Sequence, residues 1–145
     1  MLRTALASPW RIAARTLPHG RPALMRCLAL RAINTSDAEV HPPFARYVHG
    51  MEVSADAKLI FTSGQLGIAP DGTIPPSAEE QTELALKNVS AVLNAAGASL
   101  GDVVRLNAFV TGREHLQGYM RARDAAFADL PPKASTLMIV SGFAR

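Results

Sequence analysis

The residues with the clearest chemical potential are Ser63-Gly64-Gln65, which close a short apolar run. Ser63 lies in Thr62-Ser63-Gly64-Gln65, which does not match the Gly-x-Ser-x-Gly turn that exposes a hydrolytic serine, and no acid–base partner is evident for it. This makes Ser63 a hydroxyl or backbone donor in a pocket rather than a nucleophile. Cys27 is the only cysteine, so there is no disulfide framework and no Cys-based metal site. The four histidines, His19, His41, His49 and His115, show no ligand spacing, and no metal site is expected. Gly-x-Gly-x-x-Gly and Walker patterns are absent, so neither a dinucleotide nor a nucleotide phosphate is indicated. No residue acquires a catalytic role from spacing alone.

Charge divides the chain in two. Residues 1–36 hold six arginines and no acid; residues 37–145 hold nine Lys and Arg against twelve Asp and Glu, a net charge of −3. The overall +3 therefore belongs to the first quarter, and a basic nucleic-acid-binding surface is not indicated for the body. No apolar run approaches the roughly 18 residues that a membrane span needs. Met1 to Ser36 has the Arg-, Ala- and Leu-rich, acid-free composition of an organelle transit peptide. Leu2, Leu6 and Trp10 can share one face of a helix over Leu2–Ile12, with Arg3 and Arg11 off it, and Pro18 and Pro22 would end such a helix. The expected organisation is a leader over residues 1–40 directing the chain to the mitochondrial matrix, followed by one domain over 41–145. The alternatives are a disordered basic tail and a misplaced start, with translation from Met25 or later and a cytoplasmic location.

The body reads as alternating elements. Arg46–Val53 is an expected strand with a bend or bulge at Gly50, and Leu59–Thr62 an expected buried strand. Pro70-Asp71-Gly72 is a turn. Ser77-Ala78-Glu79-Glu80 is a capping box that opens a helix bearing Ala85, Leu86, Val89, Val92, Leu93 and Ala96, and Gly97 stands where a terminating glycine should. In Val103–Val110, Val104, Leu106, Ala108 and Val110 face one way and Arg105, Asn107 and Phe109 the other. A second capping box is expected at Thr111-Gly112-Arg113-Glu114, opening a helix with Leu116, Tyr119, Met120 and Phe127 on its apolar side and stopped by Pro131 and Pro132. Ala134–Val140 is apolar on both faces, as in a strand covered on both sides. The order β-β-α-β-α-β predicts an α+β layer, with two helices on one face of a small sheet.

Several runs, in unbroken order over about a hundred residues, resemble the Rid family (reactive intermediate deaminase, YjgF-like). They are Phe61-Thr62-Ser63-Gly64-Gln65-Leu66-Gly67 with Pro70-Asp71-Gly72; Glu80-Gln81-Thr82 with Ala85–Val89 through Ala95–Leu100; Val103–Thr111; and Ala134-Ser135-Thr136-Leu137. The resemblance implies a chorismate-mutase-like fold and a homotrimer with small-molecule pockets between subunits. It also implies hydrolysis of reactive 2-imino or 2-enamino acids to 2-oxo acids and ammonia, without cofactor. An imine carbon is already electrophilic, so such a site needs chiefly to hold the substrate, position water and relay a proton.

The chain departs from the family pattern at identifiable places. Active members carry an Arg that forks onto the substrate carboxylate; here Pro132-Lys133-Ala134-Ser135-Thr136 puts Ala134 at that position. Loss of a charge-assisted bidentate pair removes roughly 1.5–3 kcal/mol. Lys133 faces the opposite side of a regular strand, and a surface lysine is expected. Met120 replaces an Asn that lines the pocket in many members, and Phe44 stands where an aromatic, often Tyr, flanks it. Members also continue past the counterpart of Arg145 with a strand whose Glu faces the pocket; against that pattern the expectation is either a truncated copy or fragment with one strand edge unpaired, or another element covering that edge. The resulting candidate ligand site is Phe44, Ser63, Gly64, Gln65, Lys133, Ala134 and Thr136. Three readings follow: an imine or enamine deaminase, a non-catalytic small-molecule-binding protein of the same fold, or an inactive truncated copy.

Overall fold

The computed structural model describes residues 30–35 and 40–144; the helix expected over Leu2–Ile12 lies outside them. The elements are β1 (Leu30–Ile33), β2 (Gly50–Val53), α1 (Ala78–Ala95), β3 (Arg105–Val110), α2 (Leu116–Ala126) and β4 (Ala134–Ile139). This is the expected β-β-α-β-α-β order in an α+β fold, but the first two strands are not the expected ones. Leu30–Ile33, within the stretch read as leader, pairs antiparallel with β2, with Leu30 opposite Val53 and Ile33 opposite Gly50. An Arg31–Glu52 ion pair spans the two strands. The Thr35 N–H donates to His49 Nδ1 (3.2 Å), and the His49 N–H donates to Asn34 Oδ1 (3.2 Å).

The strand expected over Arg46–Val53 forms only from Gly50. Val48 instead bridges to Ala134, its N–H donating to the Lys133 carbonyl at 3.2 Å. Gly50 thus begins the pairing with β1, just after the chain has left β4, rather than bulging within one strand. Leu59–Thr62 is not a strand. Leu59 and Phe61 are 56% and 87% exposed, and the run pairs with none of the described strands although each two-stranded sheet leaves edges open.

α1 is built as its sequence requires. Ser77 Oγ accepts from the Glu80 N–H (3.2 Å) and the Glu80 carboxylate accepts from the Ser77 N–H (3.2 Å). At the other end Gly97 takes φ +77°, while the Gly97 N–H reaches Asn94 O (3.0 Å) and the Ala98 N–H reaches Leu93 O (2.9 Å). That pair of bonds is the Schellman closure that a left-handed glycine permits. Ser77→Ala is expected to lower stability by about 1 kcal/mol, measurable as a reduced urea midpoint with unchanged slope. The second expected capping box does not form: Gly112, without a side-chain bond, caps a 3-10 turn over Arg113–His115. A box forms instead at Ser99–Asp102, around the 3-10 turn Leu100–Asp102.

α2 packs on α1 through Gly118, where an added Cβ would stand 3.0 Å from the Glu79 amide nitrogen. Beside this contact, Arg121 donates to Glu79 Oε2 from Nε (2.9 Å) and Nη2 (2.6 Å). Val48, Leu93, Val110, Tyr119, Ala122 and Phe127 form the core. β3 and β4 pair in parallel. β4 is not buried on both sides as expected: Met138, paired with Phe109, is 43% exposed on the face that no described element covers, and Ile139, paired with the buried Val110, is 45% exposed at the strand's end.

Candidate functional site

The parallel register sets Arg105 beside Ala134, Leu106 beside Ser135, Asn107 beside Thr136 and Phe109 beside Met138. Paired residues of neighbouring strands share a face. Leu106 and Ser135 border a crevice with Arg123 and Phe127 of the α2 region, so this side meets the helices. The other face, with Arg105, Asn107, Phe109, Ala134, Thr136 and Met138, is open. On it Arg105 donates from Nε to Asn107 Oδ1 (2.9 Å) and from Nη2 to Thr136 Oγ1 (2.7 Å). Ala134 and Thr136, two of the expected site residues, therefore lie together on the open face, with a guanidinium lying between their strand and Asn107.

Lys133 is not on that face, nor on the surface. It is 5% exposed, and its Nζ donates to the Gly101 carbonyl at 2.7 Å. Burial pushes its amine below the ordinary lysine value, against the weaker opposite pull of Asp102. Its aliphatic stem packs while its head ties the start of β4 to the 3-10 turn at Leu100–Asp102.

Nearby, Tyr119 is buried, and burial raises its phenol above the ordinary value, with Arg123 and then Ser135 opposing. The Arg123 guanidinium lies 5.9 Å from the Tyr119 ring centroid and donates to Asp124 Oδ1 from Nε (2.9 Å) and Nη2 (2.6 Å). A phenol whose folded value is raised stabilises the fold below its unfolded value of about 10 and loses that contribution as pH rises beyond it. The melting temperature of the native chain should therefore fall more steeply above pH 10 than that of Tyr119→Phe. Lys133, with a lowered folded value, changes stability in the opposite sense near the same pH, but equally in both proteins.

The remaining expected residues stand apart. Phe44 is 88% exposed and meets Tyr47 edge-on, with ring centroids 5.6 Å apart. Its segment is anchored by Arg46 Nη2, which donates to the carbonyls of Ala128 (2.8 Å) and Leu130 (2.6 Å). Ser63 and Gly64 are exposed, and Gln65 Nε2 donates back to the Ser63 carbonyl at 3.3 Å. The loop that carries them is pinned to α1 by Asn88 Nδ2, which donates to Leu66 O (3.1 Å) and Ile68 O (3.2 Å). Among the described residues, no hydrogen bond joins Phe44 or Ser63–Gln65 to the open face. No group of three His, Cys, Asp or Glu among them could hold a metal ion, and no helix is long and apolar enough to cross a membrane.

Sequence reasoning placed Arg105 on the correct strand face without assigning it to the site. The signal was the alternation in Val103–Val110, but the bond to Thr136 depends on the β3–β4 register, which alternation does not specify.

A family model described as Endoribonuclease L-PSP matches residues 38–142. The 2-iminobutanoate/2-iminopropanoate deaminase of Escherichia coli strain K12 is 37% identical over 65 residues, 44% of this chain and 48% of the relative. The protein mmf2, mitochondrial, of Schizosaccharomyces pombe is 42% identical over 53 residues, 37% of this chain and 42% of the relative. The chain thus spans about half the length of the curated relatives it matches. Among solved structures, YyfB from Yersinia pestis, of the Rid protein family, superimposes with a TM-score of 0.68 at 26% identity, covering 80% of this chain and 89% of that one.

Proposed function

Because the chain belongs to the Rid (YjgF-like) family, we propose that it hydrolyses reactive 2-imino and 2-enamino acids to 2-oxo acids and ammonia. The observation that carries this reading is the 37% identity to a relative named for that reaction. Water adds to the imine carbon, the carbinolamine forms, and its collapse expels ammonia and leaves the oxo group. Because the imine carbon is electrophilic, the protein's share is orientation of substrate and water and transfer of a proton, with neither metal nor organic cofactor.

In this reading Phe44 packs on the substrate, Ser63, Gly64 and Gln65 supply hydroxyl, backbone and amide donors, and Ala134 and Thr136 floor the site. Lys133 acts from behind, holding the start of β4. The pocket lies between subunits of a homotrimer, where the loop at Ser63 of one copy meets the open β3–β4 face of the next. Support comes from the exposed apolar side chains on both parts: Phe44 and Phe61 on one, Phe109 and Met138 on the other, each more than 40% exposed. Exposed apolar surface of this kind marks an interface. The small-molecule partner is an imine, an enamine or a carboxylate. RNA cleavage is not the reading adopted, since the net charge of −3 over residues 37–145 repels a phosphate backbone.

The acid-free, arginine-rich residues 1–36 and the mitochondrial relative support import into the mitochondrial matrix. Ala134 in place of the family's arginine favours a second reading, a small-molecule-binding protein without turnover.

A trapping experiment separates the two. Semicarbazide captures 2-iminobutanoate generated in situ, and an active deaminase competes for it. Purified protein is expected to lower the semicarbazone yield in proportion to its concentration. An unchanged yield with saturable ligand binding would establish the binding reading instead.

A further inference from the structure

Ala134 leaves the first rung of the open β3–β4 face without a long side chain, and its partner across that rung is Arg105. Neighbouring strands lie about 4.8 Å apart, well within the sweep of an arginine. Among the described residues, Arg31, Arg121 and Arg123 pair with carboxylates, those of Glu52, Glu79 and Asp124. Arg105 differs, since its two partners, Asn107 and Thr136, are neutral acceptors. Two donors fix the plane of its guanidinium, and the remaining three N–H groups, both on Nη1 and one on Nη2, have no partner among the described residues. The charge is uncompensated and held in place, so a ligand does not have to immobilise a free side chain. Phe109 and Met138, half exposed on the next rungs of the same face, offer an apolar surface beside it.

We propose that Arg105 is the carboxylate anchor of this face, supplied from β3 where Ala134 on β4 provides none. It grips both oxygens of a small 2-oxo or 2-imino acid through Nη1 and Nη2, with the acid's short apolar tail directed toward Phe109 and Met138. Thr136 and Asn107 are positioning residues that hold the guanidinium. A planar fork suits this task better than a lysine ammonium, because it makes two parallel charge-assisted bonds to one carboxylate. The inference rests on the deaminase reading for its choice of ligand, 2-oxobutanoate, the product expected from 2-iminobutanoate.

Titration calorimetry of the full chain with 2-oxobutanoate tests it. Saturable binding is expected, weakened at least tenfold in Arg105→Gln and by a smaller factor in Arg105→Lys, which keeps the charge but not the fork. Arg105→Gln combined with Ala134→Arg should recover binding, because the guanidinium returns to the same rung. The neutral analogue 2-oxobutanamide should bind native chain and Arg105→Gln alike. Circular dichroism on each variant confirms that the exposed substitution leaves the fold intact. Binding by Arg105→Gln within twofold of the native chain, no saturable binding by the native chain, or no recovery in the double variant would each overturn the assignment. Arg105-dependent binding without ammonia release leaves the anchor standing and removes the deaminase reading. Ammonia release that Arg105→Gln does not slow does the reverse.

Discussion

Gly67→Val is expected to destabilise the fold of the single chain by about 3 kcal/mol or more and to abolish turnover. A Cβ at Gly67 would overlap the Gln81 carbonyl oxygen and stand 2.5 Å from the Gln81 Cα. Both atoms are backbone in the first turns of α1, so no rotamer change relieves the contact, and the loop must lift. The reason for glycine here is space, not a left-handed backbone. Overpacking of this kind costs roughly 1–3 kcal/mol. Lifting the loop also breaks the two bonds from Asn88 to the Leu66 and Ile68 carbonyls, at about 0.5–1.5 kcal/mol each. Because Gln65 and Ser63 precede Gly67 in the same loop, the donors assigned to substrate move with it. Asn88→Ala removes the bonds without the clash and should cost about half as much. Thermal unfolding of the three proteins should rank native above Asn88→Ala above Gly67→Val, and a Gly67→Val melting temperature within 3 °C of native (roughly 1 kcal/mol or less) would contradict the close approach.

The second large effect is on assembly. Phe109→Asp places a carboxylate on the open face, which the trimeric reading buries against a neighbouring copy. An unpaired charge in a dry interface costs several kcal/mol per contact, and a threefold assembly repeats that contact three times. Under that reading the native protein is expected to sediment as three chains and the variant as one. Its ammonia release should fall at least a hundredfold, because half of each intersubunit pocket is lost. Phe109 is 45% exposed in the single chain, so its removal should leave the isolated fold close to native stability. A variant that stays trimeric would exclude this face as the interface.

The parts of the molecule legible in the sequence are those whose signals are local. Ser77 and Glu80 bond each other across one turn, and Gly97 closes α1 with its own neighbours, so three residues sufficed to bound the eighteen-residue helix. Alternation placed Arg105, Asn107 and Phe109 together because a strand has period two whatever lies beside it. The rest depends on partners far away in the chain. Leu59–Thr62 has the composition of a buried strand, but composition states a need for burial without naming the partner that meets it. Leu30–Ile33 was hidden within arginine-rich sequence, although the pairing of Arg31 with Glu52 gives that charge a structural place. Strand alternation sends Lys133 to the side opposite Ala134, but alternation does not say what stands on that side. The burial of Lys133 depends on the Gly101 carbonyl being within reach, a fact set by the packing of β4 on the preceding 3-10 turn. Ala134 pointed to a missing guanidinium, while the guanidinium of Arg105 one strand away could be matched to it only after the parallel register was known.

The most direct test of the account is the rate of ammonia release from 2-aminoacrylate, generated in situ, with 2-oxo acid measured alongside. Release above the spontaneous rate is expected, in proportion to protein, with one ammonia for each pyruvate formed. A rate equal to that in buffer alone, from protein shown to be folded, would contradict it.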